Sequence, residues 1–321
     1  MIALPPIQFD RTTGVLEGAN AWERLAALAL LSGSKVASTF SHRGYNGCAN
    51  LLRKTLPERD IAIKLNPDAA FEFPYGDGYW SKLLNRSYCY EDELELLFRD
   101  SAGVDYTLID CGANFGYWSV LISSRPYGSH RVIAIEPSSQ NFAKLKHNAE
   151  INGGRFEIIE CAIGAARGTA RLSGTEHEAL SIAGDPGGGG EDVPVIALDD
   201  LFDDGKISPD GKYMVKLDVE GAEIEAIKGG TRLLQGDSVW LCEEHGNDPD
   251  HMVSRYILEQ TPLELIVYDP RSNRLENVTE LSILDRIKVS SHVGYNVFGT
   301  ASAFWQGRIK ALNANVARRM Q

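Results

Sequence analysis

The sequence lacks the long apolar runs and paired cysteines that mark membrane and secreted proteins. The longest apolar window near the start, LAALALL, is far shorter than the roughly 20 residues that a membrane-spanning helix needs. The first residues, MIALPPIQFDRTTG, lack the basic region and apolar core of a secretory signal. No two of the five cysteines form a CxxC pair. These absences predict reduced, mostly buried cysteines in a cytoplasmic protein without a membrane span.

Positive charge is also scarce. The chain has 32 lysine and arginine residues against 44 acidic ones, a net charge of −12 and a pI of about 5.1. Because the phosphates of nucleic acids and anionic lipids would repel such a protein, we expect no general nucleic-acid or membrane partner, although a local basic patch stays open. A length of 321 residues allows one large domain with extensions, or two small domains.

From Tyr106 onward, short apolar strands alternate with helices. The strand YTLIDC precedes a helix that begins at Tyr117, and RVIAIEP precedes a helix capped by Ser138. YMVKLDVEG and SVWLCEEHG are each followed by a helix, the second with Pro249 in its first turn. Such alternation predicts an α/β sandwich around a mostly parallel sheet. Between two of the core strands, the insert GDPGGGGED predicts a surface loop.

Three segments are expected along the chain. Residues 1–75 form an N-terminal α+β extension, with a helix that Asn20 begins and Gly33 ends, followed by a small hairpin. Residues 76–300 form the main domain. In residues 301–321, apolar side chains at spacings of three and four predict an amphipathic helix.

The stretch TLIDCGANFGYWSVLI ends a strand on Asp110 and continues into a glycine-rich turn. In open α/β sheets, ligands bind outside the carboxyl ends of the strands, and glycines there let a ligand approach the backbone closely. A dinucleotide fingerprint would need glycine at the positions of Asn114 and Tyr117, and the chain has no GK[ST] phosphate loop. The turn therefore suits a ligand other than a dinucleotide or a nucleoside triphosphate.

A second carboxylate, Glu136, ends the next strand, where an acidic residue commonly accepts hydrogen bonds from a ribose diol. Asp110 and Glu136 together would repel a pyrophosphate, but they would accommodate an ammonium group and a sulfonium. That description fits S-adenosylmethionine.

At this point the sequence resembles the FkbM-type methyltransferases. LIDCGANFGYWS, VIAIEPSSQNFAKLKHNAEIN, CAIG, VIALDDL, VKLDVEGAEIEAIKGG and EEH are similar to the successive motifs of that family, over residues 106 to about 245. The resemblance implies a Rossmann-like class I methyltransferase fold with a mostly parallel seven-stranded sheet, S-adenosylmethionine as methyl donor, and hydroxyl acceptors on sugars or natural products.

The resemblance also implies roles for individual residues. The first cofactor loop is matched by Asp110, Gly112, Asn114 and Gly116. Glu136 matches the acid that binds the ribose, and Cys161 and Ala162 fall where the adenine edge is usually held. The E-x-H motif of the family is matched by Glu243 and His245.

The predicted catalytic group lies at the ends of the fourth and fifth core strands. Because strand side chains alternate with a period of two, Asp218 and Glu220 share one face, as do Glu243 and His245, while Glu244 points away. We expect the first four to converge beside the cofactor, with His245 as the general base because its pKa can lie near neutrality. The same groups could hold a divalent metal, but their spacing matches no metal signature, and no metal is predicted.

The leading hypothesis is an S-adenosylmethionine-dependent O-methyltransferase that acts on a small hydroxylated acceptor, such as a sugar or natural product. An N- or carboxyl-methyltransferase is an alternative, and an amine acceptor would need no strong base. A catalytically silent nucleotide-binding protein of the same fold is a third reading, disfavoured by the retained acids and His245. The extension and tail leave a homo-oligomer open.

Overall fold

The computed structural model describes residues 4–38, 44–173, 181–183, 190–288 and 294–319. Most of the predicted glycine-rich loop at 184–192 lies outside these residues. Within them the strands are β1 (Ile7–Asp10), β2 (Val15–Glu17), β3 (Asp60–Asn66), β4 (Ala69–Pro74), β5 (Thr107–Cys111), β6 (Arg131–Ile135), β7 (Glu157–Ile159), β8 (Ala162–Ile163), β9 (Gly168–Ser173), β10 (Ser181–Ala183), β11 (Glu191–Ile196), β12 (Lys212–Leu217), β13 (Asp237–Glu244), β14 (Glu264–Asp269), β15 (Arg274–Asn277) and β16 (Tyr295–Thr300).

The helices of the described residues alternate with the strands of the main domain. They are α1 (Ala21–Ser38), α2 (Tyr45–Arg53), α3 (Asp92–Asp100), α4 (Tyr117–Ile122), α5 (Ser139–Ile151), α6 (Asp200–Asp203), α7 (Glu223–Lys228), α8 (Thr231–Gln235), α9 (Met252–Gln260), α10 (Ser282–Ile287) and α11 (Ala303–Arg319). The predicted cap of α5 is confirmed, since the Ser138 side chain accepts a hydrogen bond from the Asn141 N–H. The prediction of Pro249 in the first turn of α9 is wrong, because that helix begins at Met252.

The central sheet has the strand order β15-β14-β16-β13-β12-β5-β6-β7. The strands from β13 through β7 are parallel, whereas β16 runs antiparallel to both of its neighbours. This order, with β16 reversed between β13 and β14, confirms the class I methyltransferase fold. The predicted number of seven strands is one too low, because the short strand β15 adds an edge hairpin to β14. Its residues, RLEN, lack the apolar run of the core strands.

The sheet reverses its order between β5 and β12, which are neighbours although six strands lie between them in the chain. Ligands of open α/β sheets bind at such a point, beyond the carboxyl ends of the strands. One face of the sheet packs against α4 and α5, the extension and α11, and the other against α7 to α10. Trp305 is buried on the first side and Trp240 on the second.

The extension contains its own four-stranded sheet, in the order β2-β1-β3-β4. Helix α1 begins with a capping box, in which the Glu23 N–H donates to Asn20 Oδ1 and the Asn20 N–H donates to Glu23 Oε2. The prediction that Gly33 ends this helix is wrong, because α1 continues to Ser38. A helix tolerates one interior glycine at a cost of about 1 kcal/mol, and buried Ser34 follows it.

The tail forms the predicted amphipathic helix, α11. Trp305, Ile309 and Leu312 are buried on one side of it. Within the described residues, no helix has the length and apolar character that crossing a bilayer requires.

Candidate active site

The glycine turn after β5 lies against the end of β12. Gly112 and Gly116 have φ values of 75° and 89°, and Asn114 has a φ of 52°, all in the left-handed region. A Cβ atom on Gly112 would lie 1.7 Å from the carbonyl oxygen of Asp218, and one on Gly116 would lie 2.6 Å from Leu145 Cδ1. Glycine is therefore required at both positions by conformation and by space.

Asp110 is buried below this turn. Its Oδ2 accepts a 2.6 Å hydrogen bond from the Ser119 hydroxyl of α4. Burial raises the pKa of Asp110, and the positive charge of Lys216, its neighbour in register on β12, partly opposes that rise. The carboxyl group thus joins the first turn of α4 to the centre of the sheet.

Glu136 follows β6 and binds the same turn. Its Oε2 accepts a 2.8 Å hydrogen bond from the Asn114 N–H, and its Oε1 accepts a 3.0 Å bond from the Ser138 N–H. Burial raises the pKa of Glu136 to about 7, although these hydrogen bonds favour the charged form. The side chain is thus a buried acid at the carboxyl end of β6, held against the glycine turn.

The predicted catalytic acids come together at the ends of β12 and β13. Asp218, Glu220 and Glu243 each offer a carboxylate oxygen, and these oxygens lie within 4.8 Å of one another. Lys216 is 3% exposed, and its Nζ lies 2.8 Å from Asp218 Oδ2. Gly294 makes room for Glu243, because a Cβ there would lie 2.2 Å from Glu243 Oε1.

The two inner acids of this group have opposite pKa shifts. Burial disfavours the charged form of Asp218, but the Lys216 ammonium and a hydrogen bond with Glu243 outweigh burial and lower its pKa. Burial and the negative charge of Asp218 raise the pKa of Glu243 well above its ordinary value. Two adjacent carboxyls with such opposite pKa shifts titrate as a coupled pair.

Comparison with known proteins identifies the domain that holds this site. Residues 110–261 match the family model of the methyltransferase FkbM domain. We call residues 110–261 the FkbM domain, after the family model that they match. The match confirms the resemblance seen in the motifs, and S-adenosylmethionine is the methyl donor of this class.

The chain is also similar to a curated protein. The hexuronic acid methyltransferase AglP of Haloferax volcanii is 27% identical over 160 residues, which are 50% of this chain and 64% of that protein. The matched region is thus less than two thirds of the relative's length.

Similar solved structures include two methyltransferases. Methyltransferase FkbM from Methylobacillus flagellatus KT is 18% identical, with 61% of this chain and 43% of that chain covered and a TM-score of 0.39. Precorrin-6Y C5,15-methyltransferase from Geobacter metallireducens GS-15 is 15% identical, with 67% and 91% covered and a TM-score of 0.37.

His245 lies at the margin of the acidic group in the FkbM domain. Its Nε2 is 3.9 Å from Glu223 Oε2, and its side chain is 33% exposed. Glu223 in turn accepts hydrogen bonds from the Val219 and Gly221 N–H groups at the start of α7. Glu244 points to the other face as predicted, where its Oε2 accepts bonds from Ser254.

Cys161 and Ala162, the predicted adenine contacts, follow the end of β7 and are buried. Burial raises the pKa of the Cys161 thiol to about 12, so the sulfur is an uncharged packing group. Ala162 begins β8 and pairs with Val195 of β11. Both residues follow the strand that adjoins Glu136 at this edge.

Sequence reasoning missed the polar residues that precede the FkbM domain. Glu91 Oε2 accepts a 2.6 Å hydrogen bond from Trp118 Nε1, and the hydroxyls of Tyr79 and Tyr90 lie 2.9 Å apart. The negative charge of Asp218 is among the causes that raise the pKa of both tyrosines, after burial. The available signal was the high aromatic content of the segments FPYGDGYW and SYCYED. Nothing in these segments indicates which strand ends their side chains contact.

Proposed function

We propose that the protein is an S-adenosylmethionine-dependent O-methyltransferase whose acceptor is a hydroxyl of a sugar or another small hydroxylated molecule. The observation that carries the proposal is the Asp218–Glu243 pair, which lies at the end of β12 and β13 and adjoins the glycine turn through Gly112. The curated relative, a hexuronic acid methyltransferase, supports a sugar as acceptor.

The turn and the strand ends fit this cofactor, which supplies an electrophilic methyl group on a sulfonium. Glu136 is a buried carboxyl group at the end of β6, and its oxygens are hydrogen-bond acceptors, which suits a ribose diol. Gly112 and Gly116 leave the backbone bare where a ligand would approach it. Asp110 and Asn114 hold the turn in place, and Cys161 and Ala162 are the proposed contacts of the adenine edge.

A hydroxyl acceptor must lose its proton as the methyl group arrives. The Asp218–Glu243 pair can accept that proton, because Lys216 keeps a negative charge on the pair. His245 is the second candidate for the base, with Glu223 beside it, and Glu220 lies within reach of the same edge. A positioned general base accelerates such a step by roughly 10²–10⁴-fold.

Mass spectrometry of a sugar panel incubated with methyl-labelled S-adenosylmethionine tests the proposal. We expect one labelled methyl group per acceptor molecule. Asp218→Asn should lower kcat by about 10²-fold or more, with little change in the cofactor Kd from calorimetry. The exposed Asp210→Asn variant is the matched control.

The same measurement on His245→Ala separates the two candidate bases. A loss of about 10²-fold with an altered pH profile would assign His245 as the base. Normal turnover would leave the Asp218–Glu243 pair in that role. The proposal is wrong if S-adenosylmethionine does not bind, or if Asp218→Asn transfers methyl groups at the normal rate.

A divalent metal is the alternative occupant of the strand-end carboxyls. The oxygens of Asp218, Glu220 and Glu243 lie close enough together to bind one ion, and carboxylate oxygens suit Mg²⁺. Activity abolished by a chelator and restored by Mg²⁺ would assign them as metal ligands. Activity that a chelator leaves unchanged would favour proton transfer.

The cytoplasmic location and a homo-oligomer are further parts of the proposal. Cell fractionation tests the first, and light scattering of the purified chain tests the second. An amine acceptor, the alternative reaction, would be indicated by turnover that survives the loss of both candidate bases.

A further inference from the structure

Residues 79–91, which we call the roof segment, cover the cofactor turn from outside the FkbM domain. Trp80 Nε1 donates a 3.3 Å hydrogen bond to Asn114 Oδ1 of the turn. The ring of Tyr90 lies 5.2 Å from that of Tyr117, the first residue of α4. At the end of the segment, Trp118 Nε1 donates to Glu91 Oε2. The roof segment is thereby fixed to both the turn and the helix that follows it.

Glu91 extends from the roof segment toward the strand-end carboxyls. Its Oε1 accepts a 2.9 Å hydrogen bond from Asn296 Nδ2, and Asn296 lies directly opposite Glu243 in the β13–β16 pair. The charge of Glu91 contributes to the pKa shifts of both Lys216 and Glu243, after burial and the charge of Asp218. Glu91 also has a φ of 48°, a strained value for a non-glycine residue that persists only where surrounding contacts hold it.

Carboxyl groups outnumber basic groups around this edge of the sheet, and burial raises the pKa of Glu91, Asp110 and Glu243, so that high pH favours their charged forms. Carboxyl groups converge there from the roof segment and from three strands: Glu91, Asp110, Asp218, Glu220 and Glu243. Among the described residues of this edge, the buried cation is Lys216, and Asp218 already binds it. At the rim, Lys82 stands 4.7 Å over the Tyr79 ring, and Arg11 donates to the Tyr88 carbonyl. These carboxyl groups would still outnumber the cationic groups with one sulfonium bound.

We infer that the acceptor is uncharged or cationic at the end that enters the site, so that it is a neutral sugar or an amino sugar rather than a uronate. Glu91 is the specificity-determining residue for this choice. The inference rests on the proposed function. A buried carboxylate needs a cationic partner, and a uronate entering here would meet carboxyl groups instead. The ammonium group of an amino sugar would instead be attracted to these carboxyl groups.

The experiment compares kcat/KM for three probes at pH 8.5: methyl glucoside, glucosamine and methyl glucuronide. The wild type should favour the first two over the glucuronide by about tenfold or more, since like charges brought together are strongly disfavoured. Glu91→Gln removes the charge and keeps an acceptor oxygen and the size of the side chain. It should reduce this preference severalfold, mainly by improving the glucuronide. Asp92→Asn, one residue along and exposed, should leave the preference unchanged.

Three results would overturn the inference. One is a glucuronide that reacts as well as the neutral sugar. Another is a Glu91→Gln variant that slows all probes equally, because a purely structural role would do that. The third is turnover of none of the three sugars. If S-adenosylmethionine still binds and another hydroxyl compound is methylated, only the inference fails; if neither occurs, the proposed function fails as well.

Discussion

The Glu136→Gln substitution tests the role of a carboxyl group at a position where burial disfavours its charged form. The side chain is 4% exposed, and burial raises its pKa from 4.5 to about 7. A carboxyl whose pKa rises on folding binds its proton more tightly in the folded state. Its contribution therefore favours folding at low pH and is lost as the pH rises from 4.5 to about 7. At 1.36 kcal/mol per unit, that loss is roughly 3 kcal/mol of unfolding free energy.

Glutamine does not titrate, so it should remove most of this pH dependence. The free energy of unfolding of Glu136→Gln should fall less than that of the wild type between about pH 5 and 8. Glutamine offers one acceptor oxygen to the Asn114 and Ser138 N–H groups, which reduces the gain at high pH. Binding of S-adenosylhomocysteine should weaken about 10- to 100-fold, because a hydrogen bond to a charged group contributes about 1.5–3 kcal/mol.

Urea denaturation of the ligand-free protein at two pH values measures the first effect, and calorimetry measures the second. Glu150→Gln, an exposed acid on α5, is the control and should match the wild type in both. The reasoning is refuted if Glu136→Gln has the pH dependence of the wild type and binds the cofactor product equally well. In that case Glu136 would be neither a titrating buried acid nor a ribose ligand.

Two further substitutions test the geometry around the turn. Gly112→Ala should abolish cofactor binding in calorimetry, because its Cβ would lie 1.7 Å from the Asp218 carbonyl oxygen; a normal Kd would contradict this packing. Asn148→Ala should lower the unfolding free energy by about 2–4 kcal/mol in urea titrations, since the Asn148 side chain bonds both backbone groups of Glu72 and the Phe115 carbonyl. An unchanged urea midpoint would show that these bonds contribute no net stability.

The parts of the fold that the sequence predicted are those with a strong local signal. The core strands are continuous apolar runs, and the capping residues Asn20 and Ser138 act within one helical turn. The parts that were missed have weak local patterns: β1 and β2 are three or four residues long, α2 has nine residues, and β15 is the four-residue RLEN. The prediction that Gly33 ends α1 failed because the low helix propensity of a single glycine costs little free energy compared with what the packing of α1 contributes.

The residues of the candidate site were likewise predicted only where a local sequence pattern indicated them. The period of two along each strand placed Asp218 with Glu220 and Glu243 with His245, and parallel neighbours bring the two strand ends together. Glu91 could not be predicted, because its partner Asn296 lies 205 positions further along the chain. Nothing in the local sequence of either residue indicates that contact. The expected role of His245 as the base stays a prediction, and the closeness of Glu223 was not foreseen.

The predicted boundary between residues 75 and 76 divides the chain by composition, but the packing is continuous across it. Phe71 of the extension contacts Trp80 of the roof segment, with ring centroids 4.9 Å apart, and Tyr117 of the FkbM domain at 5.6 Å. Asn148 then joins β4 to the Phe115 carbonyl in the cofactor turn. A ligand that binds the turn therefore also bears on the extension and on the roof segment, which carries Glu91. On the proposed function, cofactor binding and acceptor specificity are coupled through these contacts, because the roof segment that carries Glu91 also binds the cofactor turn.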